Sequence, residues 1–159
     1  YRNVNHAIVN NGWRLLARLL DSAWTMGQPS SFGPVVITHG TVEGPGGLKM
    51  KYLPCRLADG EKGYRHGKKI AKIYGAKFLE NIVQFLARII IMNAALRLEG
   101  RGYKFVLQAH DELVFLVPSA KVDIAKREIH EELTRRPSWA KDLPLEASVQ
   151  SGKTYGDAK

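Results

Sequence analysis

The sequence predicts an α+β fold with an antiparallel sheet. Apolar residues recur at helical spacing in three stretches, and short β-branched or alternating stretches lie between them. The order is helix, hairpin, helix and strand within one short chain, which favours antiparallel strands over a parallel sheet. With 159 residues, the chain is long enough for one domain with its own core.

The first part, residues 1–27, is predicted as a helix, because apolar residues recur near helical spacing from Val4 to Trp24. Residues 28–73 are predicted as a β-hairpin followed by a basic loop. The β-branched stretch Pro34–Thr38 and the alternating stretch Leu48–Leu53 are the two strands of this hairpin. Residues 59–69 are polar and glycine-rich, which is typical of an exposed loop.

The remaining part, residues 74–159, begins with a long helix over Ala76–Leu98 that has a wide apolar face. Two strands follow, Tyr103–Ala109 and Leu113–Val117, with a tight connection between them. Ser119 is a candidate cap for a further helix that ends near Arg135. The predicted buried side of this helix consists of Val122, Ala125, Ile129 and Leu133. The last predicted strand is Leu145–Val149.

Composition limits the class of protein. Lys and Arg outnumber Asp and Glu by 24 to 15, a net charge of +9 that suits a polyanionic partner, although a basic soluble surface is an equal alternative. Cys55, the one cysteine, excludes an internal disulfide and indicates a reducing, cytoplasmic setting. The longest strongly apolar run, Ile89–Met92, is too short for a bilayer span, so no membrane partner is expected.

The strand connection carries three polar residues, His110, Asp111 and Glu112. Charged side chains between two apolar strands lie at the surface, where a metal ion or a substrate can approach. Mg²⁺ prefers carboxylate oxygens, so Asp111 is the first candidate ligand and Glu112 a weaker one. The alternative is a solvated hairpin tip, which is the more common role of such residues.

The long helix carries a polar stripe opposite its apolar face: Lys77, Glu80, Asn81, Gln84 and Arg88. Such a stripe can bind phosphates, sugars or base edges, but it is also typical of a solvated helix surface. A basic set precedes and overlaps it, with Tyr64 and Tyr74 interleaved, and can follow a phosphate backbone or simply be a solvated loop. Its members are Lys62, Arg65, Lys68, Lys69, Lys72 and Lys77.

Three spaced motifs together resemble family A (DNA polymerase I-like) DNA polymerases of phage type. Residues Tyr74–Arg88 resemble the long palm helix, in which a Tyr-Gly-Gly-Lys-x-x-Glu-Asn-x-x-Gln-x-x-x-Arg pattern is typical. Residues Leu107–Leu113 resemble motif C, the His-Asp-Glu hairpin. Residues Trp139–Leu145 and Gly152–Gly156 resemble the C-terminal strand and tail, and Leu53–Arg56 is similar to a Leu-Pro-Ser-Gly-Arg element.

The resemblance implies a partial palm domain that spans residues 1–159, with the first helix following the fingers. It implies that Asp111 is a ligand of a two-Mg²⁺ site, that Glu112 is secondary and that His110 lies near the primer end. It further implies that Gln84 contacts primer–template DNA, together with Lys77, Asn81 and Arg88 of the same pattern. The implied substrates are primer–template DNA and deoxynucleoside triphosphates.

The chain departs from the family pattern at several points. Ala76 stands at the second glycine of the helix pattern, Ile89 stands where an Asp is common, and Cys55 lies in an element that here lacks its glycine. Motif A and the fingers helix, which lie upstream in the family, are not found. We therefore expect a partial DNA-directed DNA polymerase that is inactive as an isolated chain. The alternatives are a non-catalytic palm fragment that binds DNA or self-associates, and a metal-dependent nuclease that uses Glu80 as a further carboxylate.

Overall fold

The computed structural model describes residues 6–158, which form two compact units that meet in the sequence between Ala87 and Arg88. Helices and antiparallel sheets occur in both parts of the chain, so the α+β prediction is confirmed. The first five residues, where the predicted first helix begins, lie outside the described part.

The N-terminal unit begins with a π-helical segment, Ile8–Arg14, that continues directly into helix α1, Leu15–Thr25. A helix was predicted here, but the wider π-helical turns were not. Leu16, Leu20 and Ala23 of α1 are buried in the core of this unit. Their spacing of four and three residues places them on one helix face, which explains the periodicity of the sequence.

A four-stranded antiparallel sheet follows, formed in sequence order by β1 (Ser30–Phe32), β2 (Val35–Thr38), β3 (Thr41–Glu43) and β4 (Lys49–Lys51). The predicted strands Pro34–Thr38 and Leu48–Leu53 correspond to β2 and β4. Their predicted direct pairing is wrong, because β3 lies between them and pairs with both. This strand has a single apolar residue and follows a two-residue turn, so it shows no apolar run.

A three-stranded antiparallel sheet occupies the region that was predicted as a basic loop. It consists of β5 (Pro54–Arg56), β6 (Lys62–His66) and β7 (Lys69–Lys72), with β6 in the centre. The loop prediction is therefore wrong. Most side chains of these strands are polar or basic. On β6, Gly63 is buried and Tyr64 is half-buried, while the last two residues are exposed. The apolar pattern that usually indicates a strand is therefore weak.

Tyr52 lies at the centre of the N-terminal core. Its ring is 5.0 Å from the ring of Tyr64, 5.5 Å from that of Trp24 and 5.9 Å from that of Phe78. The Asn81 amide nitrogen donates a 2.9 Å hydrogen bond to its hydroxyl oxygen. Burial raises the pKa of Tyr52 to about 12, against the opposing effect of this hydrogen bond. The only polar atom of this aromatic side chain is thereby satisfied in the core.

Helix α2, Gly75–Gly100, confirms the predicted long helix and begins at a close backbone approach. A Cβ atom at Gly75 would lie 1.9 Å from the carbonyl oxygen of Trp13, and one at Gly12 would lie 2.9 Å from Leu79 Cδ2. The approach at Gly75 is to backbone and requires glycine, whereas the contact at Gly12 is with the end of a side chain that can shift.

We predict that Gly75→Ala destabilises the protein by about 3 kcal/mol, because the new methyl group overlaps a backbone oxygen that cannot move alone. Gly100→Ala is the matched control in the same helix, since a Cβ atom at Gly100 would meet no other atom within 4 Å. Stability there should be unchanged or higher by up to about 1 kcal/mol. Chemical denaturation measures both variants, and equal stabilities would contradict the close approach.

The C-terminal unit contains the second half of α2, the hairpin strands β8 (Lys104–Ala109) and β9 (Glu112–Leu116), and helix α3 (Val122–Thr134). These elements confirm the predicted strands and helix. Leu98, Ala125 and Ile129 are buried at the centre of this unit, and partly buried side chains pack around them. These are Tyr103, Phe115, Val117, Leu133 and Val149.

Two details of the C-terminal prediction are wrong. Ser119 begins a short 3₁₀ turn, Ser119–Lys121, and no side-chain cap bond is made at the start of this turn or of α3. Residues 145–149 form no strand, although burial alternates along them and Val149 packs on the core. The alternating burial indicates an extended segment with one side facing the core. Within residues 6–158, this segment pairs with no β-strand.

By length and composition alone, α2 could cross a membrane. The core helix of a soluble protein meets the same two criteria, so this finding is weak. Phe78 and Ile82 of α2 are buried in the N-terminal core and Leu98 in the C-terminal core.

Glu132 on α3 is a buried charge held by three arginines. Its side chain is 1% exposed and lies 2.5 Å from Arg97, 2.5 Å from Arg101 and 2.7 Å from Arg135. Burial alone would raise the pKa of Glu132, but the hydrogen bond from Arg97 and the three positive charges lower it below its ordinary value. The cluster joins the end of α2 to α3.

We predict that Glu132→Gln costs about 3 kcal/mol at pH 7, because it leaves partly buried arginines without their counter-charge. The lowered folded pKa means that the contribution of Glu132 is present above its ordinary pKa of 4.5 and is lost as the pH falls below it. The stability difference from the unsubstituted protein should therefore shrink between pH 6 and pH 3. Glu131→Gln, an exposed neighbour, should change stability by less than about 0.5 kcal/mol at either pH.

Candidate metal and nucleic-acid site

The β8–β9 hairpin closes through a two-residue turn, His110 and Asp111, since Ala109 pairs directly with Glu112. The sequence placed Glu112 in the connection, but it is the first residue of β9. His110 has a φ of 54°, the left-handed region that favours glycine, and among described residues no other non-glycine residue has a positive φ. Strain of this kind costs about 1–3 kcal/mol and is concentrated at functional sites.

The strained turn exposes the side chain of Asp111. The Gln108 amide nitrogen donates a 3.2 Å hydrogen bond to the carbonyl oxygen of His110, which supports the turn from β8. Within residues 6–158, the carboxylate of Asp111 takes part in none of the hydrogen bonds and ion pairs. Asp111 is therefore presented to solvent by a fixed backbone and is available to an external ligand.

Glu112 has a different environment from its neighbour. The hydroxyl of Tyr155 donates a 2.5 Å hydrogen bond to Glu112 Oε2. This bond, with a smaller effect of burial, raises the pKa of the Tyr155 phenol. Because Tyr155 engages Glu112, Asp111 is the one of these two neighbouring carboxylates that remains unengaged.

The tail that carries Tyr155 is itself tightly folded. The Thr154 backbone nitrogen and hydroxyl both donate to Asp157 Oδ2, at 3.0 and 2.7 Å. A Cβ atom at Gly152 would lie 2.6 Å from Asp157 Cβ, so the turn requires glycine there. Sequence reasoning matched this Gly-Lys-Thr-Tyr-Gly segment to a family tail but assigned no role to Tyr155. The pairing with Glu112 spans 43 residues and leaves no local signal.

The turn has one unengaged carboxylate, which suits Mg²⁺ as a single ligand but does not form a closed site. Among the residues that the structure describes, no group of three or more His, Cys, Asp or Glu side chains is arranged to hold a metal ion. Asp111 and Glu112 alone therefore do not fit a two-ion centre.

The predicted polar stripe of α2 is present in part. Lys77 Nζ lies 2.9 Å from Glu80 Oε1, which raises the pKa of Lys77, and the Gln84 amide donates a 3.4 Å hydrogen bond to the same oxygen. Asn81 is half-buried and holds the Tyr52 hydroxyl, as described above. Arg88 is exposed and falls in the C-terminal unit. Lys77 and Gln84 thus share one surface of the N-terminal unit.

This surface borders a groove of about 560 Å³ in the N-terminal unit. Its lining combines apolar and polar side chains: Ile8, Trp13, Tyr74, Ala76, Lys77, Leu79, Glu80, Val83 and Gln84. Aromatic rings beside a cation and an amide are the groups that bind bases and phosphates of nucleic acids.

The chain is similar to a phage DNA polymerase. It is 45% identical over 139 residues to the DNA polymerase of Bacillus phage SP02, an alignment that covers 72% of this chain and 20% of the phage protein. The chain thus spans about one fifth of the length of this relative. No family model and no solved structure matches the chain.

We predict that Glu112→Gln lowers the pKa of Tyr155 toward its ordinary value of 10.0, because the phenol then loses its charged acceptor. Carbon-13 NMR of labelled tyrosine, assigned with Tyr155→Phe, follows this titration. Glu128→Gln is the matched control: it removes the negative charge of the group that accepts the Tyr103 hydrogen bond and should lower the pKa of Tyr103 alone. An unchanged Tyr155 titration in Glu112→Gln would exclude the contact.

Proposed function

We propose that this chain is the palm segment of a family A DNA polymerase and contributes to template-directed addition of deoxynucleotides to a primer end. The observation that carries the proposal is the 45% identity to a phage DNA polymerase. The turn in the segment resembling motif C supports it further, because it presents to solvent the carboxylate of Asp111, which no hydrogen bond or ion pair engages within residues 6–158.

Asp111 is the proposed Mg²⁺ ligand of this segment. The ion would help to neutralise charge on the transferred phosphoryl group in the complete enzyme. The residues of this chain position the ligand: Gln108 holds the turn, and Tyr155 engages the side chain of Glu112. Glu112 therefore has a secondary role, and His110 is proposed to lie near the primer end.

The first turns of α2 are proposed to contact primer–template DNA. Gln84 and Lys77 are exposed or half-exposed beside the aromatic groove, and each retains hydrogen-bonding capacity beyond its contact with Glu80. Asn81 has a second amide hydrogen, but its side chain is held by the hydrogen bond to Tyr52. Its proposed contribution is to fix the position of this helix face relative to the N-terminal core. Arg88 is proposed as a further phosphate contact.

A single unengaged carboxylate cannot hold two Mg²⁺ ions, so we propose that the 159-residue chain does not extend primers by itself. The second carboxylate and the groups that bind the incoming triphosphate would come from segments equivalent to motif A and the fingers helix. The cytoplasm, where phage DNA is replicated, is the proposed location.

The sharpest test is a chimera in which this chain replaces the matching segment of the SP02 polymerase. We predict that the chimera extends a primer, that Asp111→Asn lowers its rate about a hundredfold or more, and that Glu112→Gln lowers it less. Asp123→Asn, an exposed carboxylate on α3, should leave the rate unchanged. Gel-based primer extension measures all four proteins, with the isolated chain as a further sample that gives no product.

A folded chimera that keeps full activity with Asp111→Asn would contradict the proposed metal ligand. Extension by the isolated chain that is lost in its Asp111→Ala variant would contradict the incomplete site.

A second candidate function is a non-catalytic palm fragment that binds DNA or self-associates. The β8–β9 hairpin favours it, because Val106, Leu107 and Leu116 are each more than 40% exposed and form apolar surface that another chain segment or a second copy would cover. The nuclease alternative has less support, since Glu80 already accepts hydrogen bonds from Lys77 and Gln84.

A further inference from the structure

We propose that the β6–β7 hairpin is a basic ribbon that binds the phosphate backbone of duplex nucleic acid. Its tip residues are different from those of the Asp111 turn and of the stripe on α2. The inference adds to the proposed function a named contact for the DNA partner, and its argument rests on the hairpin alone.

The hairpin is an ordered element with a defined register. Arg65 pairs with Ile70 and His66 pairs with Lys69, so the strands close through Gly67 and Lys68. Gly67 has a φ of 59° at the first central position, as in the type II′ turns that suit two-residue hairpins. The charges at the tip are therefore held by a paired backbone, and binding would not require a flexible loop to become ordered.

The positive charges of this ribbon are paired with acids at its base but not at its tip. The sequence has no acidic residue between Glu61 and Glu80. At the base of the ribbon, Lys62 pairs with Asp21 and Lys72 pairs with Glu61. Within the described part of the chain, none of the ion pairs includes the exposed tip cations, which are Arg65, Lys68 and Lys69. The acids of this unit thus neutralise the base and leave the tip positive.

The unpaired cations are concentrated at the end of the ribbon. Arg65 and Lys69 are on adjacent strands and Lys68 lies in the turn between them, so three positive charges fall within five consecutive residues. A polyanion that binds these cations releases its own counterions, so an anionic partner is the chemistry that the tip fits.

The arrangement fits a nucleic acid better than a membrane surface. Successive strand residues point to opposite faces, so Arg65 with Ile70 is on one face while His66 with Lys69 is on the other, and Lys68 is at the tip. Positive charge therefore surrounds the ribbon. A major groove, which admits a two-stranded ribbon, has phosphates on both sides, whereas an anionic membrane would contact one face.

Fluorescence anisotropy with a labelled duplex of about 20 base pairs, titrated with the 159-residue chain at several salt concentrations, tests the proposal. The test variant is Arg65→Gln, Lys68→Gln and Lys69→Gln combined. The control is Lys104→Gln, Lys121→Gln and Lys153→Gln, which removes the same charge from three exposed lysines of the C-terminal unit. We expect the test variant to lower the slope of log K against log salt by about 2–3, roughly one per lost phosphate contact, and the control by much less.

A matched variant separates charge from side-chain identity: Arg65→Lys should bind like the unsubstituted chain. Circular dichroism of all variants verifies that the exposed substitutions leave the fold intact. Equal losses in the test and control variants would overturn the inference, because the binding would then follow net charge alone. Binding to vesicles of anionic phospholipid with none to the duplex would also overturn it.

Failure of the hairpin inference can be distinguished from failure of the proposed function. An inactive chimera with duplex binding that depends on the tip would leave the hairpin inference standing. An active chimera with duplex binding that is indifferent to the tip would remove the hairpin inference and keep the polymerase proposal.

Discussion

One helix supplies buried side chains to both cores of this protein. The 26 residues of α2 bury Phe78 and Ile82 in the N-terminal core and Leu98 in the C-terminal core. Its start is constrained further, because Gly75 packs against the backbone at Trp13 with no room for a side chain. Packing therefore constrains these positions of the helix, whereas Glu80, Gln84 and Arg88 of the polar stripe are exposed.

The parts of the fold that were predicted correctly carry a clear apolar pattern. Helices α1, α2 and α3 each place several apolar side chains on one face, and strands β8 and β9 are mostly apolar stretches. Strands β3, β6 and β7 lack such a pattern because they are short or carry polar and basic residues, with Val42 buried on β3 and Gly63 on β6. Their pairing depends on turns and neighbours, which a local pattern does not record.

The candidate site divides in the same way. Asp111 was singled out from the sequence because the segment around it resembles motif C, and its role as a metal ligand stays a prediction. The structure places it, exposed, in a two-residue turn beside the left-handed backbone of His110. The contact of Tyr155 with Glu112 and the role of Asn81 in holding Tyr52 were not predictable, since each joins distant segments. Helical spacing grouped the residues of the polar stripe on α2. The structure was needed to show that Asn81 has a structural contact, whereas Gln84 and Arg88 are exposed.

The net charge of +9 is not spread evenly, and its distribution bears on function. Three arginines surround the buried Glu132, where their charge holds the C-terminal unit together and is partly neutralised. Two lysines at the base of the β6–β7 ribbon are paired with acids in the same way. The positive charge that remains for a polyanion is therefore smaller than composition indicates but more localised. Because exposed, unpaired cations release counterions from a polyanion most effectively, affinity should depend on where these few side chains lie rather than on the total.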